Sequence, residues 1–570
     1  MSENKISIIC RTIVRYIGIV FVGYLFLQGL FTICCIQQFE ERTFFIQNNV
    51  FKQLCGIGFF ILVMRLMWNK KLKKFINKYG NHVVILMLLL IVGFLGIWVY
   101  NTQFWYVSDM EAIFANAEQL LVGNYTGWQP GGYPHRNPHQ NGLLLLVAFL
   151  RSFLTLKQSF NAFYVINIVM YMVTIISLFF SLKLIYKDKE IYCVQILLMI
   201  CFLPYSFFCL MMYGNVMSFG WACISMVLGL AYCKEPHWLK LVGSALCMIM
   251  AIVLKQNQLI VFVAIMIMFV FSWINAATDK GSFLMQIAIY AIAVIIGTKA
   301  PDFIISNITG FKLDEGNSPW SYVAMGLMSD ENTTPGWYNW YNVNVFIEND
   351  YDHDATEEVA KDAVVTSIQN YVENPAEGWK YINHKLASEW NNPTFECFGI
   401  QNARGTGLEL SNIVKSTLND GGKINIVLIY FFDIFQSIFL FGVLIYLVME
   451  KDVGWDKLLY LVLFIGGFLF YTMWEAKAQY VVYYFLLLIP YSVPGYLQII
   501  QKGTLKKQKG LKFEGWNKLH TALIVLAVLI IFIASSDAQW VMSSFKIHTD
   551  TEAYYNYIHQ YNSNFVNLRF

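Results

Sequence analysis

The uncharged run VVILMLLLIVGFLGIWVYN, residues 83–101, decides the class of fold, because it extends over 19 residues. A helix of about 20 apolar residues crosses the hydrocarbon core of a bilayer. Similar runs recur along the 570 residues, which are 57% hydrophobic and only 14% charged, whereas soluble domains average about 25% charged residues. The sequence therefore predicts an all-α polytopic membrane protein. The net charge of +3 is small, and we expect no nucleic-acid partner.

About thirteen membrane spans are predicted from the distribution of apolar runs. They cover residues 12–33, 54–69, 83–101, 161–183, 191–211, 216–233, 239–254, 258–275, 283–304, 425–449, 457–474, 479–500 and 519–536. The N-terminus carries basic residues before the first run but no clear small-residue cleavage site. We therefore expect the first run to remain in the protein as an uncleaved span.

The basic residues fall on one side of this topology. Their clusters lie at 69–78, 183–189, 234–240, 280, 450–457 and 501–512. Cytoplasmic loops are enriched in Lys and Arg, so the N-terminus is predicted inside and the C-terminal tail outside. The short run NGLLLLVAFLRSFL, 141–154, would invert every later cluster if it were a full span. We expect it to form a re-entrant or interfacial helix at the outer face.

This topology divides the chain into five parts. They are an N-terminal two-span extension (1–80), a core membrane module (81–304) with a first outer loop (102–160), an extracytoplasmic domain (305–424), C-terminal membrane helices (425–536) and an extracytoplasmic tail (537–570). Within the extracytoplasmic domain, TEEVAKDAVVTSIQNYV and AEGWKYINHKLASEW have helical patterns. The acidic stretch NDYDHDATEE lacks the glycine of a calcium loop, and we expect the start of a helix there.

The first outer loop opens with YVSDMEAIF, residues 106–114, which places two carboxylates beside a span. Ser108 and Glu111 have the spacing of a capping box. The apolar residues that follow recur at helical spacing up to Gly123, a typical stop, and indicate an amphipathic helix on the membrane surface. Asp109 is not needed for the cap. It serves either to compensate the helix dipole or as a general base.

Other polar groups also fall at outer ends of spans. They occur in GWQPGGYPHRNPHQNG (127–142), in KQNQ (255–258), in EAKAQY (475–480) and in the turn Tyr213–Asn215. Lysines at such ends often only snorkel to the interface. The number of polar turns on one side nevertheless predicts an outward-facing site built from several loops. His135 and His139, joined by Asp109 or Glu111, leave a divalent metal site open as an alternative, but the sequence requires no cofactor.

This layout resembles the GT-C superfamily of membrane glycosyltransferases, and most closely the bacterial family-39-like enzymes related to protein O-mannosyltransferases and lipid A aminoarabinose transferases. The resemblance covers most of the chain from about residue 83. The segments that carry it are SDM (108–110), YPHRNPHQNGLLLLVAFL (133–150), the K-x-N of Lys255 and Asn257, EAKAQY (475–480), AMGLMSDENTTPGWYNWY (324–341) and HKLASEWNNPTF (384–395). It implies a GT-C fold and transfer of a sugar from a polyprenyl phosphate.

The resemblance also implies roles for individual residues. Asp109 is the expected catalytic base of an inverting transfer to an acceptor hydroxyl. The expected phosphate-binding cations are Lys255, Lys477 and Arg136, and the expected substrate-binding residues are Glu111, His139, Gln140, Asn257, Glu475, Gln479 and Tyr480. Gln479 stands where the family pattern has arginine, so another cation must replace it.

The implied partners and location follow from the same resemblance. They are a polyprenyl-phosphate sugar donor, a polymer, lipid or protein acceptor of the cell envelope, and membrane lipids. The implied location is a bacterial plasma membrane with the active site on the extracytoplasmic side. The main alternative is a transporter or flippase of a lipid-linked saccharide. Two further alternatives are an O-antigen-type polymerase or ligase and a non-catalytic scaffold. A transferase needs Asp109, Lys255 and Lys477 in one cavity, whereas a transporter needs polar residues near the bilayer midplane.

Overall fold

The structure is a computed structural model that describes residues 5–37, 42–102, 108–275, 279–313, 315–328, 333–399, 410–450, 453–505, 547 and 549–565. Within these ranges, ten helices are long and apolar enough to cross a membrane. The number rises to eleven if the pair Lys189–Ile200 and Leu203–Leu210, bent by 53°, is one span. The protein is therefore a multi-pass membrane protein. The predicted span at 519–536 lies outside the described residues, and the count of thirteen stays a prediction.

The elements follow the chain in this order. The first half contains α1 Lys5–Phe31, β1 Thr32–Ile36, β2 Thr43–Gln47, α2 Val50–Met67, α3 Lys70–Thr102, α4 Asp109–Leu121, α5 Tyr133–Arg136, α6 Asn141–Arg151, α7 Leu156–Ile185, α8 Lys189–Ile200, α9 Leu203–Phe207, α10 Asn215–Lys234, α11 Trp238–Leu254, α12 Leu259–Ile274 and α13 Lys280–Thr309. The second half contains α14 Pro319–Gly326, α15 Tyr341–Glu348, α16 His353–Glu373, α17 Pro375–Trp390, α18 Asn412–Leu418, α19 Lys423–Met449, α20 Leu459–Met473, α21 Ala478–Leu505 and α22 Thr551–Phe565. The two helices predicted in the extracytoplasmic domain are confirmed as α16 and α17.

The most deeply buried spanning helix is α21, in which 94% of the most apolar window is buried. It packs against α8, α19 and α20. A Cβ on Gly495 would meet the Gly442 backbone oxygen at 1.9 Å. The backbones of α19 and α21 can therefore approach closely only because both positions are glycine, as is common where membrane helices cross.

One end of the helix bundle, here called the lysine-rich end, gathers the basic clusters around residues 77, 187, 234 and 456. Lys189 Nζ donates to the Asn77 carbonyl oxygen at 2.9 Å. Lys234 Nζ lies 2.7 Å from an Asp456 carboxylate oxygen. These contacts place four of the six predicted clusters at one end, and most of the cluster at 501–512 lies outside the described residues. The opposite end is here called the cavity end. There α10 begins at Asn215, α11 ends at Leu254 and α20 ends at Met473.

The described residues are mainly helical, as predicted, and a two-stranded hairpin lies between α1 and α2. β1 and β2 pair antiparallel, with Cys34 opposite Phe45, and the predicted span 12–33 ends two residues early at Phe31. The strands TICCI and TFFIQ consist mainly of β-branched and aromatic residues, which favour extended structure. In the sequence this apolar character is indistinguishable from the end of a span.

The first outer loop folds into protein rather than onto lipid. The apolar stripe of α4 packs against α6, and the Phe114 ring lies 5.0 Å from that of Phe160. The prediction of a surface helix is therefore wrong for this stripe. Gly123 has a φ of 76° and ends the helix as predicted. α6 has 11 residues, about 16 Å in length, so segment 141–154 is not a full span, as expected.

The segment predicted as an extracytoplasmic domain, here called the 305–424 segment, is seated on the cavity end of the spanning helices. α13 continues beyond the predicted boundary at 304 to Thr309, and α17 packs against α1, α20 and α21. The Asp352 side chain accepts a hydrogen bond from the Ala355 amide at 2.8 Å and caps α16, which confirms the predicted helix start. This segment consequently forms a wall of the site described below.

Candidate functional site

A cavity of about 990 Å³ opens at the cavity end of the helix bundle. Ten of the eleven predicted site residues line it: Asp109, Arg136, His139, Gln140, Lys255, Asn257, Glu475, Lys477, Gln479 and Tyr480. Its walls come from the hairpin, the loop 102–160, the turns after α9, α11 and α20, and the 305–424 segment. Residues from nearly the whole length of the chain therefore meet in one polar cavity.

Glu111 is the predicted site residue that the structure leaves outside this cavity. Its side chain is exposed, and it does not appear among the cavity-lining residues. The predicted capping box is also wrong, since Ser108 makes no side-chain cap hydrogen bond. Ser108 has φ 56° and ψ −128°, a backbone conformation unlike the β-region conformation of a capping residue. Ser108 instead lines the cavity.

Asp109 begins α4 and is held by a relay of hydrogen bonds. The Tyr213 hydroxyl donates to Asp109 Oδ2 at 2.9 Å, and Gln140 Nε2 donates to the same hydroxyl at 2.6 Å. Burial and the neighbouring Asp109 charge raise the pKa of Tyr213 well above its ordinary value. Tyr213 therefore keeps its proton and remains a donor. The relay fixes the carboxylate while the residue itself stays exposed to the cavity.

Lys255 lies beside this relay, in the turn that follows α11. Its Nζ is 4.0 Å from the centroid of the Tyr213 ring, a distance at which a cation is attracted to an aromatic face. Burial lowers the pKa of Lys255 to about 7, although the charges of Asp109 and Glu475 oppose this shift. Near neutral pH the amine is thus poised between its charged and neutral forms. An incoming anion would favour the charged form.

His139 is the fourth polar group close to Asp109. Burial lowers the pKa of His139 to about 4, Lys255 adds to the decrease, and the Asp109 charge opposes it. The imidazole is therefore neutral at physiological pH, and it can exchange hydrogen bonds but not supply a positive charge. A neutral imidazole suits the predicted substrate-binding role. The positive charge needed to bind an anion then comes from lysine and arginine.

The turn 474–480 forms the opposite wall. Tyr480 stacks on Tyr471, with ring centroids 5.5 Å apart, and Asn257 Nδ2 donates to the Tyr471 hydroxyl at 3.1 Å. The backbone amide of Gln479 donates to a Glu396 carboxylate oxygen at 3.0 Å. These contacts join the Lys255 turn to the turn that carries Glu475 and Lys477.

Tyr338, which the sequence analysis did not single out, lines the cavity within electrostatic reach of four charged groups. Burial raises the pKa of Tyr338 to about 12; Asp109 and Glu475 raise it further, whereas Arg136 and Lys477 lower it. All four charges therefore act on one hydroxyl. The cavity thus places two cations and two carboxylates within electrostatic reach of a single point.

Several other aromatic residues of the site were also missed. They are Tyr133, Tyr322, Trp337, Trp340 and Trp474, all of which line the cavity. Tyr322 stacks on Trp474 at 5.3 Å, and its hydroxyl donates to Asn137 Oδ1 at 3.1 Å. The signal available in the sequence was the dense aromatic and amide run TTPGWYNWYNV, residues 333–343.

The described residues give no support to a metal-binding arrangement around the two histidines. The His135 ring stacks on Phe346, with centroids 5.6 Å apart. In the part of the chain that the structure describes, no group of three or more His, Cys, Asp or Glu side chains is placed to hold a metal ion.

The side chains of the cavity can together accept a proton and bind an anion. Asp109 is a fixed carboxylate that can accept a proton, and Lys255, Arg136 and Lys477 are cations that can hold an anion in the same cavity. Aromatic and amide side chains line the same cavity. No family model matches the sequence, and comparisons with curated proteins and with solved structures give no significant match.

Proposed function

We propose that this protein is a membrane glycosyltransferase of the GT-C type, which transfers a sugar from a polyprenyl-phosphate donor to an acceptor hydroxyl. The observation that carries the proposal is the meeting of Asp109, Lys255 and Lys477 in one cavity at the helix ends. This is the arrangement that the transferase hypothesis requires. The resemblance in the first outer loop and in the turns at Lys255 and Glu475 supplies the reaction class.

Asp109 acts as the general base. The acceptor oxygen attacks the anomeric carbon as Asp109 takes the hydroxyl proton, and the bond from that carbon to the phosphate oxygen breaks. Attack opposite the phosphate inverts the anomeric centre. The hydrogen bond of 2.9 Å from the Tyr213 hydroxyl orients the carboxylate, and positioning of this kind lets a base contribute roughly 10²–10⁴-fold to the rate.

The cations act on the leaving group. A phosphodiester carries one negative charge, and departure of the sugar leaves a monoester phosphate with additional charge. Lys255, Lys477 and Arg136 would stabilise this developing charge. They also replace the arginine of the family pattern at position 479. The polyprenyl chain would lie between spanning helices, with its phosphate at their ends.

The orientation of the protein is part of the proposal. The lysine-rich end faces the cytoplasm of a bacterial cell by the positive-inside rule, so the cavity faces outward and the plasma membrane is the location. The donor would be made inside and delivered to the outer face. The thirteen-span count of the GT-C architecture belongs to the same proposal.

Two carboxylates within the spanning helices, the buried Asp433 and the half-buried Asp302, argue for this reaction over transport. Asp433 of α19 accepts hydrogen bonds from Asn48 at 3.0 and 3.1 Å, and Asp302 of α13 accepts one from Asn141 at 2.8 Å. Asn48 adjoins the start of α2, and Asn141 begins α6. Both partners therefore come from the cavity end, whereas a transport pathway needs polar groups at the bilayer midplane.

Purified full-length protein in detergent tests the proposal directly. It is incubated with a panel of polyprenyl-phosphate hexoses and pentoses, and release of free polyprenyl phosphate is followed by mass spectrometry. We expect slow hydrolysis of at least one donor by water, and faster release when a suitable acceptor is added. Binding of no donor and release from none would refute the transferase.

The pH dependence of turnover should follow the protonation of the Lys255 amine. Phosphate binding requires the ammonium form, which is present below the pKa of about 7 and is lost above it. We expect kcat/KM for the donor to fall by about tenfold per pH unit on the alkaline side. In Lys255→Arg this fall should disappear, because guanidinium stays charged. A pH profile identical in the two proteins would remove Lys255 from phosphate binding.

Cysteine labelling in intact cells should report the orientation. Glu358→Cys places a thiol at an exposed position of the extracytoplasmic segment, and Lys187→Cys places one at an exposed position of the lysine-rich end. We expect a membrane-impermeant maleimide to label the first and not the second, with the parent chain giving the background of native cysteines. Labelling of the second alone would invert the topology.

A further inference from the structure

Trp340 stands at the cavity with most of its side chain uncovered. It is 60% exposed, and it lines the cavity together with Tyr338, whose ring centroid is 5.2 Å away. Its backbone has a φ of 68°, a left-handed conformation that is costly for a residue with a Cβ atom. An exposed indole on a strained backbone indicates a residue placed for a ligand.

The segment around Trp340 is fixed to the rest of the site. The Trp337 indole nitrogen donates to Ser388 Oγ at 2.8 Å, and the Ala476 amide donates to the Gly336 carbonyl oxygen at 2.8 Å. The Trp340 carbonyl oxygen accepts hydrogen bonds from the backbone amides of Val343 and Asn344 in α15, at 3.1 and 3.0 Å. These hydrogen bonds hold the backbone around Trp340 beside the turn that bears Glu475 and Lys477.

The chemistry of this segment is aromatic and neutral. Residues 333–343, TTPGWYNWYNV, contain four aromatic residues, two asparagines and no charged side chain. Aromatic faces pack against the C–H faces of a sugar ring, and a carboxamide can donate to one hydroxyl and accept from the next. The combination fits a neutral ligand with many hydroxyl groups.

A peptide acceptor would need backbone partners that this chain already uses. The Cys34 amide donates to the Asn391 carbonyl oxygen at 3.0 Å, and Asn392 donates to the Cys34 carbonyl oxygen at 3.1 Å. On the other strand, the Phe45 carbonyl oxygen accepts from the Asp550 amide at 2.7 Å. The hairpin at the cavity therefore does not offer these groups for addition of a peptide strand.

We infer that the acceptor is a neutral saccharide chain, and that Trp340 is the stacking platform of its binding subsite. This inference rests on the proposed transferase. The cavity of about 990 Å³ is at the upper end of the roughly 300–1,000 Å³ of ligand sites, so a donor sugar and an acceptor ring can share it. The acceptor enters past the neutral segment, and its hydroxyl reaches Asp109 on the opposite wall.

Saturation-transfer NMR on the full chain in detergent tests this subsite. The probes are short neutral oligomers of glucose, mannose, galactose and N-acetylglucosamine, and an uncharged peptide rich in Ser and Thr. Trp340→Ala is compared with Trp379→Ala, which removes another exposed indole of the same outer segment that does not line the cavity. Trp340→Phe keeps an aromatic face.

We expect at least one oligomer to bind the wild type and Trp379→Ala, about tenfold more weakly to Trp340→Ala, and at an intermediate level to Trp340→Phe. Equal binding to Trp340→Ala would make the indole a mere interfacial anchor and overturn the subsite. Binding of the peptide alone, or of no probe, would overturn the saccharide acceptor. Donor turnover is measured on the same samples: oligomer binding through Trp340 without turnover of any donor would refute the transferase and leave the saccharide subsite standing.

Discussion

Asp109→Asn should reduce sugar transfer by roughly 10²–10⁴-fold, the contribution expected of a positioned general base. The amide keeps the shape of the side chain and can still accept the hydrogen bond that the Tyr213 hydroxyl donates at 2.9 Å. It cannot take up the proton of the acceptor hydroxyl. We therefore expect the donor to bind with little change while kcat falls, and we would measure both by single-turnover release of polyprenyl phosphate.

Glu111→Gln is the matched control for this variant. It makes the same chemical change two residues further along α4, at an exposed position outside the cavity. We expect its turnover to stay within about twofold of the wild type. Full activity of Asp109→Asn, with elution and melting temperature unchanged, would remove Asp109 as the base. Equal losses in both variants would indicate a general effect of negative charge on α4.

Lys385→Met should have the largest effect on stability. Lys385 is fully buried in α17, and its Nζ donates to the carbonyl oxygens of Gly326, Thr472 and Trp474 at 2.6, 3.0 and 2.6 Å. Burial lowers the pKa of Lys385 to about 8, against the charges of Glu389 and Glu475. Removal of the amine leaves these carbonyl groups and the buried Glu389 without their cation.

A buried carbonyl group that loses its hydrogen-bond donor costs about 1–3 kcal/mol, and Lys385 serves three of them. The contacts of Lys385 join the 305–424 segment to the end of α20, directly before Glu475 and Lys477. We therefore expect a lower melting temperature in detergent together with a loss of donor turnover. Lys380→Met, in the same helix, removes a lysine whose side chain is 76% exposed, and it should leave both unchanged. A melting temperature of Lys385→Met equal to that of the wild type would contradict the role of this lysine in holding the site together.

The spanning helices were predictable because their signal is local. Every described span has a predicted counterpart among the apolar runs, since a helix in lipid must satisfy its own backbone and needs no distant partner. The apolar runs alternate with short loops, and the positions of the basic clusters in every second loop predicted that they share one end. The convergence of polar turns on one side also located most of the cavity walls, as the shared lining of Asp109, Lys255 and Lys477 shows.

The remaining features depend on contacts between distant parts of the chain. The hairpin of β1 and β2 is supported by Asn391 and Asn392, more than 350 residues later in the chain, and nothing near Thr32 marks it in the sequence. Tyr338 and Trp340 share the cavity with Asp109, and Lys385 joins α17 to the carbonyl groups of Gly326 and Trp474 beside them. The local S-x-x-E pattern predicted a cap that the backbone of Ser108 does not form. The substrate-binding role of Glu111, implied by the resemblance, does not match its exposed position outside the cavity.

The most direct test of the central claim is a cryo-EM structure of full-length Asp109→Asn with a bound polyprenyl-phosphate sugar, chosen from the donors that the wild type turns over. We expect the phosphate among Lys255, Lys477 and Arg136, the anomeric carbon facing residue 109, and the polyprenyl chain leaving the cavity between spanning helices. A phosphate bound at the middle of the membrane, away from residue 109, would contradict the transferase and favour transport of the lipid-linked sugar.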